Sequence, residues 1–485
     1  MQLKKEMGEW FGNAKGDILA GLVSSFAVIP EVVGFCIVAG ISPMMGLYAS
    51  FWLTVLMAFI GGRPAMISAA AGSMALVIVS LVRDYGPEYL MAATILTGIL
   101  MFILGLLKVG NLIKLIPNGV QIGFVDALAI LIFSSQLGNF KGEGWQMYAL
   151  VALGIAIIYL FPRLTKAVPS TLVAVIVVTA IAIIFGAPVR TIGDMGTITA
   201  ALPPFHLPAV PFNLETLTII LPYSISLALV GLVETLLTSQ VIDEMTDTVG
   251  DRNRECRGLG IANIVSGFFS GTCGCAMIGQ AIVNVNSGAR GRLSNFVSGA
   301  FLMVLIFLLN DLMVQIPLAA LVAVMITVSI STFDWDSLRR LNRMPRTDAL
   351  VIVIVVAIVV ATNNLAIGVV IGLVLTAIFF AMQLSKIKVE IAKDEASATI
   401  TYHIIGQVFF ASTEPLMNTF DFHDDSKRVV LDFAKARLWD ESAATVLKKA
   451  MDKFESNGKE VEVCGLDENS VMLVNTLYGV TCKEA

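Results

Sequence analysis

"SGTCGCAMIGQAIVNVNSGARG" (residues 270–291) decides how the whole chain is read. It sits within a longer run, Gly258 to Ala289, that contains no Asp, Glu, Lys or Arg. A run of that length can cross a bilayer, whose hydrocarbon layer takes about 20 apolar residues in a helix. Yet Gly271, Gly274, Gly279, Cys273, Cys275, Gln280, Asn284 and Asn286 interrupt it. Glycine and short polar side chains weaken a helix interior. The stretch therefore reads as a stop and a restart. One helix ends near Gly271, a turn runs through Cys273–Cys275, and a short helix begins near Met277 and ends within Asn284–Gly288. Within a membrane, such irregular backbone is tolerated only where it lines a cavity or is covered by protein.

The rest of the composition agrees with a membrane setting. The chain has 485 residues, 56% of them hydrophobic and only 14% charged, against about 25% charged in soluble domains. The deficit ends near Gln383, and the sequence is charged and soluble-looking after Lys386. Residues 1–385 are thus expected to form a membrane domain and 386–485 a small cytoplasmic α/β domain. The net charge of −5 gives no basis for binding nucleic acid. The N-terminal residues lack the apolar core and small-residue cleavage site of a secretory signal. Cys273-x-Cys275 has no neighbouring His or second Cys pair, so close packing is expected there rather than a metal site. No cofactor is implied. There is no P-loop, and His206, His403 and His423 fall outside the apolar segments, so nothing points to an enzyme.

Fourteen apolar segments can be counted, near 18–39, 44–61, 67–82, 89–107, 116–136, 146–162, 169–186, 216–239, 256–272, 275–286, 293–310, 314–332, 348–363 and 365–383. An even number places both termini on one side. With this count, seventeen Lys and Arg residues fall in loops on the N-terminal side, and only Arg83, Lys141 and Arg190 on the other. That asymmetry predicts a multi-pass protein of the cell's inner (plasma) membrane with both termini in the cytoplasm.

Two short segments, the third and the tenth, echo each other. "GGRPAMISAAAGS" (61–73) and "GTCGCAMIGQAIV" (271–283) share Ala-Met-Ile at an offset of 276 − 65 = 211. Weaker echoes at offsets of 212 and 200 keep the same order, which suggests two halves of seven spans. Seven is odd, so the halves have inverted topology. Paired short, Gly-interrupted segments in inverted halves point to a transporter binding site.

The chemistry at such a site follows from backbone physics. A half-helix starting near the midplane leaves up to four N–H groups unpaired and carries about half a positive charge at its N-terminus. Two such ends can hold an anion without Lys or Arg. Glu31 on the first segment and Ala71, Gly72 and Ser73 on the third, with Met277, Ile278, Gly279 and Gln280 on the tenth, are the expected substrate-binding residues. Three acidic residues also fall inside spans: Glu31, Asp126 and Glu234. Ionisable groups there are costly and are functional candidates. Glu31 follows Pro30, which is expected to open the first helix beside the site. Glu234 and Thr238, one turn apart, can offer oxygens to a small cation. The role of Asp126 stays open between function and a buried structural bond.

The residues that carry a resemblance are "IPEVVGFCIVAGISPMMGLYAS", "ETLLTSQVIDEMT" and "GLGIANIVSGFFSGTCGCAMIGQAIVNVNSGAR". They are similar to the SulP, or sulfate permease, family of anion transporters. The resemblance implies 7+7 inverted spans, with a core of spans 1–4 and 8–11 and a gate of spans 5–7 and 12–14. It further implies homodimers. It implies coupling-ion residues Glu234, Thr238 and Ala276, since a family member binds sodium with an acid and a threonine at the matching places. Many members carry Arg where Gln280 stands and Gln where Glu31 stands. The tail "TYHIIGQVFFAS" and "RVVLDFAKARLWDESAATVLKKAMDKFESNGKEVEVCGL" resembles the STAS domain, which would offer a surface to a cytoplasmic partner. In related STAS proteins a serine directly after an aspartate is phosphorylated; here Glu441 follows Asp440, with Ser442 next.

The expected function is secondary active transport of a small anion (bicarbonate, sulfate or a dicarboxylate). The expected mode is symport with H+ or Na+ by an elevator-like movement of the core. A nucleobase:cation symporter of the same fold, an anion exchanger, and a membrane sensor signalling through the STAS-like domain are the alternatives.

Overall fold

The computed structural model describes residues 2–111, 116–165, 169–194, 201–394 and 397–478. Lys114, Lys166 and Cys482 lie outside the described residues. The chain divides into two compact units, Met1–Leu373 and Val374–Ala485.

The membrane unit runs α1 (Gln2–Phe11), α2 (Ala14–Ala39), α3 (Pro43–Ile60), β1 (Ser68–Ala69), α4 (Gly72–Tyr85), α5 (Pro87–Leu106) and α6 (Asn118–Leu137). It continues with α7 (Trp145–Leu160), α8 (Ser170–Ile184), α9 (Leu214–Thr246), α10 (Arg252–Phe268), β2 (Cys275–Ala276), α11 (Ile278–Asn286) and α12 (Arg292–Val314). It ends with α13 (Leu318–Thr332), α14 (Trp335–Arg340), α15 (Arg346–Thr362) and the start of α16 (Leu365–Leu384). Each expected apolar segment holds one helix. Eight helices among the described residues are long and apolar enough to cross a membrane. At 1.5 Å per residue, α4 and α11 reach only about 21 and 14 Å, so neither crosses alone.

Two short helices were not expected. The amphipathic α1 lacks an apolar run, and α14 is a six-residue turn started by Asp334, whose side chain accepts from the N–H groups of Asp336 and Ser337. The kink expected at Pro30 is also absent. The proline removes one backbone bond, but α2 continues unbroken from Ala14 to Ala39 with most of its residues buried, so tertiary packing overrides the local loss.

Helix packing separates two groups. In one, α10 packs on α5 and α3, α12 on α2 and α3, and α9 on α4, α5 and α11. In the other, α6 packs on α13 and α15, and α7 on α8 and α13. The first group draws on spans 1–4 and 8–11 and the second on spans 5–7, 12 and 13, and α2 with α13 and α4 with α6 make contacts between them.

The two short segments meet at a two-stranded antiparallel ribbon, with Ser68 opposite Ala276 and Ala69 opposite Cys275. Each strand leads into its half-helix, so equivalent elements pair about a local two-fold. This corrects the offset suggested by Ala-Met-Ile. The helices start 278 − 72 = 206 residues apart and the strands 275 − 68 = 207 apart. Ala65–Ile67 precede β1, whereas Ala276–Ile278 span the end of β2 and the start of α11. The motif match was a near-coincidence in a true repeat. Gly274 is required at the crossing, since a Cβ there would collide with the Ala69 carbonyl oxygen.

The second unit contains β3 (Lys388–Asp394), β4 (Thr399–Val408), α17 (Thr413–Met417), β5 (Arg428–Leu438), α18 (Glu441–Ser456), β6 (Glu460–Cys464) and α19 (Glu468–Tyr478). Its sheet has the order β3-β4-β5-β6; β3 pairs antiparallel and the other two pairs are parallel. Tyr402, Phe433 and Phe454 are fully buried in its core. Asp440 is the N-cap of α18, accepting from Ala443 N–H at 2.9 Å, and it also accepts from Phe410 N–H at 2.8 Å.

Candidate functional site

Three long helices of the membrane unit start with a polar side-chain cap, whereas α2, α5, α6, α7, α8, α12, α13 and α15 do not. Ser42, Asn213 and Asp251 accept backbone N–H bonds at the starts of α3, α9 and α10. The starts of α4 and α11 are also without a side-chain cap, and they differ from the others in facing one cavity. Ala71 and Met277 stand at the N-cap positions and neither supplies a side-chain acceptor. The first helical bonds are Ala75 N–H to Ala71 O at 3.0 Å and Ala281 N–H to Met277 O at 2.9 Å. The N–H groups of Gly72, Ser73 and Met74, and of Ile278, Gly279 and Gln280, therefore precede any helical acceptor. Two partial positive charges converge on one spot.

That spot is a cavity of about 110 Å³. Ala71 and Gly72 line it from α4, and Met277, Ile278 and Gly279 from α11. Glu31 and Phe35 of α2 and Glu234 of α9 complete the core side. Phe124 and Leu128 of α6 and Val328 and Ser331 of α13 close the gate side. No Lys, Arg or His among the described residues lines it, so the positive potential there comes from the two helix starts. A Cβ on Gly72 would meet the Phe35 ring at 2.5 Å, whereas one on Gly279 would meet nothing within 4 Å. Gly72 is thus packed from behind, and Gly279 faces open space.

Ser73 and Gln280 do not line this cavity, contrary to expectation. The second residue of α4 turns its side chain backward, and the Ser73 hydroxyl donates to the Glu234 carboxylate. Glu234 also accepts from the Cys275 thiol at 3.2 Å, a partner for which the sequence gave no signal beyond the cysteine itself. Gln280 lies against Glu31 and donates its Nε2 to Ala27 O at 3.4 Å. Its Oε1 is buried with no donor among the described residues.

At the expected cation site, Thr238 donates its hydroxyl to the Glu234 main-chain oxygen at 2.7 Å. The Ala276 N–H is bound by Thr235 Oγ1 at 3.1 Å. Thr235, not Thr238, is therefore the residue of α9 tied to the ribbon. The Asp126 carboxylate accepts from Asp334 N–H at 2.8 Å and Ser337 Oγ at 2.9 Å, fastening the corner between α13 and α14.

Asparagines missed by the sequence reading hold the ribbon in place. Asn263 bonds both the N–H (2.8 Å) and the carbonyl (3.0 Å) of Gly274. Asn284 donates to Ala65 O at 2.9 Å and Asn295 to Met66 O at 2.8 Å. A buried amide in an apolar run was the available signal, since such a group must find a partner.

Inverted halves, discontinuous helices and a cavity between two helix groups are the marks of a multi-pass membrane transporter. A profile of the Sulfate permease family matches residues 14–148 and 144–355, and a STAS domain profile matches residues 390–477. The chain belongs to the sulfate permease family and carries a STAS domain. A putative sulfate transporter of Bacillus subtilis, YbaR, is 55% identical over 469 residues, covering 97% of this chain and 98% of that protein. The transmembrane domain of a cyanobacterial bicarbonate transporter, BicA, is 28% identical with a TM-score of 0.68, covering 74% of this chain and 98% of that one. The fold is also that of the murine Solute Carrier 26 family member A9 anion transporter, with a TM-score of 0.83 at 16% identity over 98% of this chain and 88% of that one.

Proposed function

We propose that the chain is a secondary active transporter that carries a small oxyanion, sulfate or bicarbonate in size, across the cytoplasmic membrane. The observation that carries this reading is the pair of uncapped half-helix starts facing one small cavity. Backbone N–H groups and helix dipoles select negative charge, and a cavity of about 110 Å³ suits a few heavy atoms. The names of the relatives point to sulfate and bicarbonate, and a C4-dicarboxylate would need the cavity to enlarge. The family assignment removes the nucleobase alternative.

Uptake is coupled to H+ or Na+ in this proposal, rather than exchange. Glu31 and Glu234 are the two titratable groups lining the cavity, and no basic side chain among the described residues joins them. An anion entering a site with two carboxyls needs a cation to offset it. Glu234, with Thr238 and Ala276 beside it, is the place proposed for the coupling ion. The core helices move against the gate helices in an elevator-like step, both termini face the cytoplasm as the loop charges require, the protein works as a homodimer, and the STAS domain (386–485) offers a surface to a cytoplasmic partner. Reconstituted protein in liposomes is expected to accumulate labelled sulfate or bicarbonate when an inward proton or sodium gradient is imposed. Uptake indifferent to both gradients contradicts the coupling, and no uptake of sulfate, bicarbonate or fumarate contradicts the transport reading.

A further inference from the structure

The corner between α1 and α2 holds a buried carboxylate that the anion site does not use. Asp17, in the first turn of α2, is fully buried and does not line the central cavity. Its Oδ1 accepts three N–H bonds, from Arg290 at 2.8 Å, Gly291 at 3.1 Å and the Asn13 side chain at 3.3 Å. Three donors on one oxygen favour the ionised group. The second oxygen, Oδ2, is equally buried and has no donor among the described residues.

That oxygen does not face apolar space. A Cβ on Gly291 would collide with both Asp17 Oδ2 and the main-chain oxygen of Glu9, so the two oxygens converge in front of the Gly291 Cα. Glu9 lies in the last turn of α1, where carbonyls run out of helical partners and the dipole leaves partial negative charge. The Gly12 N–H goes to Gly8 O at 2.9 Å, and no backbone N–H among the described residues bonds Glu9 O. Two acceptors, one of them charged, therefore share a space that no donor among the described residues enters. Glycine at 291 leaves open the room that a side chain would fill.

The cationic side chains of these segments are committed elsewhere. Arg290 Nη1 donates to Val285 O at 2.9 Å and Ala289 O at 2.6 Å. Arg292 Nε is paired with the Glu9 carboxylate at 2.8 Å, and its Nη1 donates to Ala58 O at 3.1 Å and Gly61 O at 2.9 Å. Lys15 is exposed. The Asn13 amide, besides its bond to Asp17, donates to Gly288 O at 2.6 Å. Leaving a buried carboxylate without a counter-charge is costly, and buried charges are paired or coordinate an ion.

We propose that Asp17 Oδ2 and Glu9 O bind one alkali cation, sodium or potassium, which fastens α1 to the 288–291 turn that follows α11. Oxygen ligands select a hard cation. One available carboxylate matches a single positive charge, whereas Ca2+ takes about 6–8 oxygens and Mg2+ demands an octahedron. The ion is a fastener and is not carried: it is held by α1 and α2 rather than by Glu234 and Thr238. It secures α1 where Trp10 already packs on Phe59 and Phe296, with ring centres 5.0 and 6.4 Å apart. The proposal does not depend on which anion is transported.

The test uses the purified full-length chain carrying Glu234→Gln, which removes the carboxylate of the proposed coupling site, with and without Asp17→Asn. Thermal unfolding in detergent is followed in sodium, potassium, choline, calcium and magnesium chloride at matched ionic strength. Hydrogen exchange is mapped by peptide mass in the same salts. Glu234→Gln is expected to show a saturable rise in unfolding midpoint with sodium or potassium over choline, together with slower exchange in residues 7–13 and 288–292. The salt giving the larger rise identifies the ion. Adding Asp17→Asn is expected to remove both effects. No rise with either alkali salt over choline overturns the proposal, and is the result if water alone joins the two oxygens. A rise that survives Asp17→Asn, a rise given only by calcium or magnesium, or an alkali rise with exchange unchanged at 7–13 and 288–292 each overturns it as well. If the Asp17→Asn chain fails to fold, the salt response and exchange map of Glu234→Gln decide by the same criteria.

Discussion

The two half-helices share a plan and differ in what lies behind them. Behind the start of α4, Ser73 and Glu234 form a closed hydrogen-bonded pair joined by Cys275. Behind the start of α11, the Gln280 side chain is bonded to Glu31 and its amide oxygen has no donor among the described residues. Both ends offer the cavity the same backbone N–H groups. In the proposed function pseudo-symmetry supplies the backbone donors of the anion site, while the two carboxyls behind them differ in their hydrogen-bond partners. A strictly symmetric pair would repel each other and the substrate alike.

The largest expected effect on this comparison comes from Glu234→Gln. Loss of the charge is predicted to abolish gradient-driven uptake while leaving the fold intact, because Gln still accepts from Ser73. Liposome uptake with and without imposed gradients checks this, and wild-type rates would remove Glu234 from the mechanism. Next come the two anchors themselves. Ser73→Ala removes a donor from a buried carboxylate and is expected to destabilise the protein by about 1–3 kcal/mol. Gln280→Leu removes an acceptor that lacks a donor and is expected to be near neutral. Thermal unfolding in detergent compares them, and equal losses would show that the asymmetry has no energetic content.

Away from the site, Asp126→Ala should cost about 1–3 kcal/mol by freeing two buried donors at the α13–α14 corner, with uptake retained. Loss of uptake in a stable Asp126→Ala protein would return Asp126 to the transport machinery. The smallest effect is expected in the STAS domain. The Lys393 ammonium, with Ser426, holds the Asp424 carboxyl well below the usual range. A depressed carboxyl contributes stability above its unfolded pKa of about 3.9, and that contribution is lost as pH falls through the folded value. Asp424→Asn should therefore lower stability at neutral pH, with the difference closing as the medium is acidified below about 4. A difference independent of pH would contradict the ion pair's role.

The fourteen apolar segments were legible because apolar length is additive along the chain, and each of them holds one helix. The stop and restart at 270–291 was legible because glycine, cysteine and asparagine are out of place in a lipid-facing helix. The registration of the repeat was not, since Ala-Met-Ile falls on different sides of the ribbon in the two halves. Which face a residue presents was also hidden. Ser73 and Gln280 belong to the right turns but point behind them, and Thr235 rather than Thr238 meets the ribbon, because a one-residue step rotates a helix by about 100°. Gate residues such as Phe124 and Val328 gave no signal, being apolar residues in apolar spans. The partners of Asp126, Asp334 and Ser337, lie more than 200 residues away and could not be read from the sequence.

The central claim is that the anion is held by the backbone starts of α4 and α11, and Gly279 tests it most directly. A Cβ there meets nothing within 4 Å, so Gly279→Val is expected to fold and to reach the membrane. Its side chain would occupy the space proposed for the anion. In liposomes under an inward proton or sodium gradient, the account predicts sulfate or bicarbonate uptake by wild type and a loss of roughly 100-fold or more in Gly279→Val, equivalent to about 2.7 kcal/mol of binding. Wild-type uptake by Gly279→Val would contradict it.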